Sequence, residues 1–193
     1  MELIFIRHGQ GEHTLDIPNS LHIKNPTLTA KGINQAKLLR KKFLITDEDI
    51  IFISPLRRTL ETALIWTENI DCRKIISPLV SPRIFPNHPN GKTLPCDIII
   101  NLETIQKDYP NLEMAVNVPP DLWSGSINTI PDSEFNKIAH EFITNLTLLK
   151  KNKIYIVSHD GTITAYRQLI SGRSLSRKDF PDETGWFQMK VDL

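Results

Sequence analysis

Leu3-Ile4-Phe5-Ile6-Arg7-His8-Gly9 is the stretch on which the reading of this chain turns. Four consecutive apolar residues with no turn former read as a short strand buried on both faces. The run then stops on a guanidinium and an imidazole. The same grammar recurs twice. Ile50–Ile53 leads into Ser54-Pro55-Leu56-Arg57-Arg58-Thr59, and Ile154–Val157 into Ser158-His159-Asp160-Gly161. Trp186–Val191 supplies a fourth strand-like run.

Helical patterns fill the intervals. Thr29-Ala30-Lys31-Gly32 opens a stripe of Ile33, Ala36, Leu39 and Phe43, and Leu56, Leu60, Ala63 and Leu64 form a second. Asp132 reads as the N-cap of the longest helix, with Phe135, Ala139, Phe142 and Leu146 on one face. Thr162 to Ile170 is a fourth. Strands alternating with helices predict an α/β protein, a three-layer α/β/α sandwich around a mostly parallel sheet. In such sheets ligands sit beyond the carboxyl ends of the strands. All three polar segments begin at such ends, so one pocket gathers them.

The totals constrain the rest. With 193 residues, the expectation is one domain over residues 1–193. The net charge of +1 leaves no global field to draw nucleic acid or a membrane surface, so anion recognition has to be local. Cys72 and Cys96 show no Cys-x-x-Cys spacing and read as unpaired thiols. No secretory pattern opens the chain, and no apolar stretch reaches the ~18 residues of a membrane span. A cytoplasmic location is expected. Between about 78 and 131 the rhythm breaks, with Pro78, Pro82, Pro86, Pro89 and Pro95 in quick succession. This proline-rich excursion predicts a long irregular wall or lid.

The chemistry of the three segments fits phosphoryl transfer. The oxygens of a phosphate monoester repel a nucleophile, so catalysis needs fixed positive charge, an aimed nucleophile and a proton for the leaving oxygen. Arg7 and Arg58 offer planar forks for phosphate oxygens. His8, if neutral, presents a ring nitrogen for in-line attack. His159 can donate a hydrogen bond to the transferring group, and a backbone N–H at the helix start after Gly161 favours the same anion.

These segments resemble the histidine phosphatase superfamily, the phosphoglycerate mutase-like family. Arg7-His8-Gly9-Gln10-Gly11-Glu12-His13 is similar to its Arg-His-Gly loop. Ser54-Pro55-Leu56-Arg57-Arg58-Thr59-Leu60-Glu61-Thr62-Ala63 is similar to its Ser-Pro-Leu-x-Arg-x-x-x-Thr-Ala block. Asn25-Pro26-Thr27-Leu28-Thr29-Ala30-Lys31-Gly32 resembles the segment before its first helix, and Val157-Ser158-His159-Asp160-Gly161 the second-histidine motif. The resemblance implies a phosphorylated His8, a phosphate pocket of Arg7, Arg58 and His159, and no metal or organic cofactor. Arg57 falls on the variable position. Gln10, His13 and Asp97 are expected to border a small phosphorylated substrate.

The family's glutamate after the third strand has no counterpart in Pro78-Leu79-Val80-Ser81-Pro82-Arg83-Ile84-Phe85. Asp160 is the first choice of proton donor, Asp97 the second and Glu103 the third. The mutase features Trp-Asn and Gly-Trp-x-Asp are absent, which favours hydrolysis over phosphoryl shuttling. A phosphoglycerate mutase-type transferase and a non-catalytic phospholigand-binding protein are the alternatives. Arg83, His88 and Lys92 read as a solvated loop rather than a cationic wall. His140 reads as a packing residue beside a helix's apolar face; Trp66, Trp123 and Trp186 read as packing residues, Trp123 alone lying in an irregular region that can border the site. Gly91-Lys92-Thr93 lacks the earlier glycine of a P-loop, since position 86 is Pro86.

Overall fold

Alternation along β1 (Glu2–Arg7) organises the molecule: Leu3 and Phe5 enter one core, Ile4 and Ile6 the other. The computed structural model describes residues 1–191. Its sheet has six strands in the order β4-β3-β2-β5-β1-β6. They are β1, β2 (Ile50–Ile53), β3 (Arg73–Ile76), β4 (Glu113–Met114), β5 (Lys153–Ser158) and β6 (Trp186–Lys190). All neighbours pair in parallel except β6, which returns antiparallel along β1. The three sequence runs thus become the adjacent central strands β2, β5 and β1, and every side chain of β2 is buried.

Helices cover both faces, giving the α/β/α layering expected. Helices α1 (Ala30–Lys42), α2 (Arg57–Trp66) and α3 (Leu102–Asp108) pack with Leu39, Leu60, Trp66 and Ile105 against one side. Helices α5 (Asp132–Thr147) and α6 (Asp160–Ser171) pack with Phe135, Phe142, Ile163 and Tyr166 against the other. The short α4 (Leu122–Gly125) joins that second core through Leu122. No described helix is long and apolar enough to cross a membrane.

Four local expectations change. Asp132 is the first residue of α5 and not its N-cap; Pro131 holds that place, and the Asp132 carboxylate turns instead to Arg83. His140 is exposed, its Nδ1 2.8 Å from Asn136 O, so solvent and a local hydrogen bond explain it rather than packing. Trp123 packs against the core of α1–α3 and does not line the cleft described below. The excursion is irregular for most of its length, yet it carries α3, β4, α4 and two 3-10 turns, at Pro78–Val80 and Pro95–Asp97. Cys72 and Cys96 are free and buried.

Candidate active site

Three parallel strands end side by side, and the backbone locks their ends in register. The His8 amide donates to Ser158 O (3.0 Å) and the Ser54 amide to Val157 O (3.1 Å). His8 therefore emerges at the end of β1, Ser54 at the end of β2 and His159 at the end of β5. Arg58 is the second residue of α2, which starts just after Ser54. His8, Arg58 and His159, together with Arg7, His13, Asp97 and Asp160, line a cleft of about 240 Å³, and Ser54 lies behind it, hydrogen-bonded to His159.

The Arg-His-Gly loop is held close to α1. A Cβ on Gly9 would lie 2.6 Å from Gly32 O, and one on Gly32 would lie 2.1 Å from Gln10 O. Only glycine at both places lets loop and helix touch. The Gly9 amide donates to Thr62 Oγ1 (3.1 Å), which ties the loop to α2 as well.

His8 is buried, and its hydrogen bonds fix its tautomer. Nδ1 lies 2.7 Å from Gly9 O, an atom that can only accept, so Nδ1 carries the proton. Nε2 keeps its lone pair and accepts from Arg58 Nε at 3.2 Å. Burial, then the Arg58, His13 and Arg7 charges, hold the His8 pKa well below 6.5. The ring is neutral at physiological pH.

Arg58 spends all three guanidinium nitrogens inside the site. Nη1 donates to Cys96 O (2.6 Å), and Nη2 to Asp97 Oδ1 (2.8 Å) and His159 Nδ1 (3.2 Å). Because Arg58 only donates, His159 accepts at Nδ1, and neutral His159 then donates from Nε2 to Ser54 Oγ (2.8 Å). Burial and the nearby cations also push the His159 pKa well below 6.5. Arg7 donates from Nη1 to Pro181 O (2.8 Å) and pairs through Nη2 with Asp160 Oδ2 (2.9 Å). Its Nε is buried without a partner, as is His13 Nδ1. Burial, with Arg58 and Arg7, lowers the His13 pKa to about 3. Arg7 and Arg58 thus bring two guanidinium groups into one cleft. Among the described residues no group of three His, Cys, Asp or Glu is placed to hold a metal ion.

The sequence-derived candidates separate. Arg7, His8, Arg58, His159, Asp160, His13 and Asp97 come together. Gln10 does not: its side chain accepts from Thr29 Oγ1 (2.9 Å) and helps fasten the loop. Glu103 is exposed on α3, outside the cleft. Arg57 is exposed and pairs with Glu61. Of the helix-start amides, Gly161 N is taken by Asp160 Oδ1 (2.6 Å). Sequence reasoning assigned no role to Ser54, Arg177, Ile17 or Leu21, and read Arg83 as solvated. Ser54 could have been found from its motif; the others reach the cleft through loops whose course no local pattern encodes. Arg83 is in fact buried, donating to Ile127 O and Ile130 O and pairing with Asp132. A second, more apolar cavity of about 210 Å³, lined by Ile75, Met114, Phe142 and Leu149, contains none of the motif residues.

Residues 3–81 match the family model described as the histidine phosphatase superfamily, branch 1. That part of the chain is similar to the superfamily. The match spans the Arg-His-Gly loop and the Arg58 block; His159, at the end of β5, lies outside the matched residues. Among solved structures, the fold is similar to the α-ribazole phosphatase from Shigella flexneri (TM-score 0.66, 22% identity, 100% of this chain and 91% of that one). It is also similar to the phosphoserine phosphatase from Entamoeba histolytica in complex with 3-phosphoglyceric acid (TM-score 0.60, 21% identity, 97% and 89%). A third is the mycobacterial glucosyl-3-phosphoglycerate phosphatase (TM-score 0.61, 16% identity, 98% and 90%). No curated protein matches the sequence.

Proposed function

We propose that this protein is a phosphohydrolase that removes phosphate from a small phosphorylated substrate through a phosphohistidine on His8. The observation that carries this reading is the neutral, Nδ1-protonated His8, whose Nε2 lone pair faces Arg58 at the floor of the cleft. The family-model match over residues 3–81 and the phosphatases among its structural neighbours support it.

A phosphoryl dianion would take donors from Arg7 and Arg58, and from His159 once its Nε2–H turns from Ser54 Oγ to phosphate. His8 Nε2 attacks phosphorus, and the bond to the leaving oxygen breaks as that oxygen receives a proton. Water then attacks the phosphohistidine, releasing phosphate and returning the lone pair to Nε2. For the proton donor, hydrogen bonding favours Asp97 over Asp160. Asp160 has both oxygens engaged, Oδ2 with Arg7 and Oδ1 with the Gly161 amide, which leaves neither free to reach a leaving oxygen. Asp97 bonds Arg58 through Oδ1, and burial raises its pKa despite that cation. Asp160 then serves to aim Arg7.

The test is phosphate release from p-nitrophenyl phosphate and a panel of natural monoesters, beside His8→Ala. Turnover that falls at least ~10³-fold in His8→Ala is expected. Turnover that persists in the variant would sink the reading. Isomerisation of a monophosphate without net phosphate release would replace it with the mutase alternative.

A further inference from the structure

Arg177 stands at the mouth of the same cleft and has no carboxylate partner among the described residues. The other three arginines of the cleft each contact a carboxyl group: Arg7 that of Asp160, Arg58 that of Asp97 and Arg83 that of Asp132. Arg177 is thus the one arginine of this cleft without a carboxylate contact among the described residues.

Arg177 is exposed, but the backbone that carries it is anchored. Its turn, Arg177–Asp179, is fixed by a reciprocal capping box between Ser176 and Asp179. Its guanidinium carbon sits 5.7 Å from the Phe180 ring centroid, and Phe180 packs in turn on Phe85. The segment is fastened to the phosphate floor itself, because Arg7 Nη1 donates to Pro181 O. Across the cleft stand Ile17, Leu21 and Pro82, which suit carbon rather than charge.

We propose that Arg177 binds a second anionic group on the substrate. The preferred substrates are then monoesters whose alcohol carries a carboxylate or another phosphoryl group on a short carbon linker. A neutral alcohol would leave Arg177 with nothing to bind. The proposal rests on the phosphate-site reading above and deepens it.

The test reads binding, so it does not depend on turnover. His8→Ala protein is titrated calorimetrically with propyl phosphate, 3-(phosphonooxy)propionate and propane-1,3-diol bisphosphate. The titrations are repeated with Arg177→Ala, Arg177→Gln or Arg173→Ala added. Arg173 is exposed on the same segment but outside the cleft. At least one doubly anionic ligand is expected to bind about tenfold or more tighter than propyl phosphate. That advantage should fall to about twofold or less in both Arg177 variants and survive Arg173→Ala. The ligand with the larger Arg177-dependent gain names the group, carboxylate or phosphoryl. Equal affinities, or an advantage that survives loss of Arg177, would overturn the inference. Failure of the hydrolase reading alone would appear differently, as wild-type protein inert toward p-nitrophenyl phosphate with the binding difference intact. No binding of any of the three ligands overturns both.

Discussion

His8 is built to stay neutral in a field of fixed cations. Burial and Arg58 remove the proton that would quench its lone pair, and Gly9 O dictates which nitrogen keeps the other. His13 and His159 share that environment. In ring-carbon NMR of the free protein, none of the three is expected to titrate between pH 7.5 and 5.5; a midpoint near 6.5 for His8 would contradict the account. The two aspartates divide the remaining work. Asp97→Asn is expected to slow natural monoesters by about 10²–10⁴-fold while sparing p-nitrophenyl phosphate, whose leaving group needs no proton. Asp160→Asn should slow both alike, because it disturbs Arg7. The reverse pattern would make Asp160 the acid. His8, Arg58 and His159 were legible in the sequence because each follows a buried strand within a short motif. Arg177 was not: it sits far along the chain in a polar segment, and only the antiparallel return of β6 beside β1 brings it to the cleft.

At the scale of elements, the loop–helix contact between Gly9 and Gly32 sets the height of His8. Gly32→Ala places a Cβ against Gln10 O, so either the loop or α1 must shift. The expected result is a loss of about 1–3 kcal/mol in urea unfolding together with reduced turnover. Unchanged stability and turnover would show that the contact is not limiting. Arg83 performs a parallel task in the excursion, where it satisfies two carbonyls and lies 4.2 Å from the Phe135 ring centroid. Arg83→Met is expected to cost about 2–4 kcal/mol by the same measurement, since the carbonyls lose their donor. The central strands were legible because they are uniformly apolar. β3 opens on Arg73 and Lys74, and β4 has two residues, so neither carries a strand pattern of its own. Both exist because pairing with β2, and then with β3, completes their hydrogen bonds.

For the whole molecule, three buried neutral histidines link folding to pH. Their folded pKa values lie below 6.5 while the unfolded chain binds protons near 6.5. Below pH 6.5 the unfolded state therefore holds more protons, and stability falls as the pH drops. For His13 the loss accrues from pH 6.5 down to about 3. Each histidine contributes a slope of about 1.4 kcal/mol per pH unit, so three give about 4 near pH 5. Asp97 opposes them, because its raised pKa lets the folded state bind a proton first in the carboxylate range. The net expectation is a marked fall in melting temperature between pH 7 and 5; a flat profile would contradict the burial of these rings.

The central claim is that phosphate passes through His8, and trapping the intermediate tests it most directly. Wild-type protein is mixed with ³²P-labelled p-nitrophenyl phosphate, quenched in alkali and separated from free label. The account expects protein-bound label that is stable to alkali, labile to acid and absent from His8→Ala. Turnover without bound label, or label that remains in His8→Ala, would contradict it.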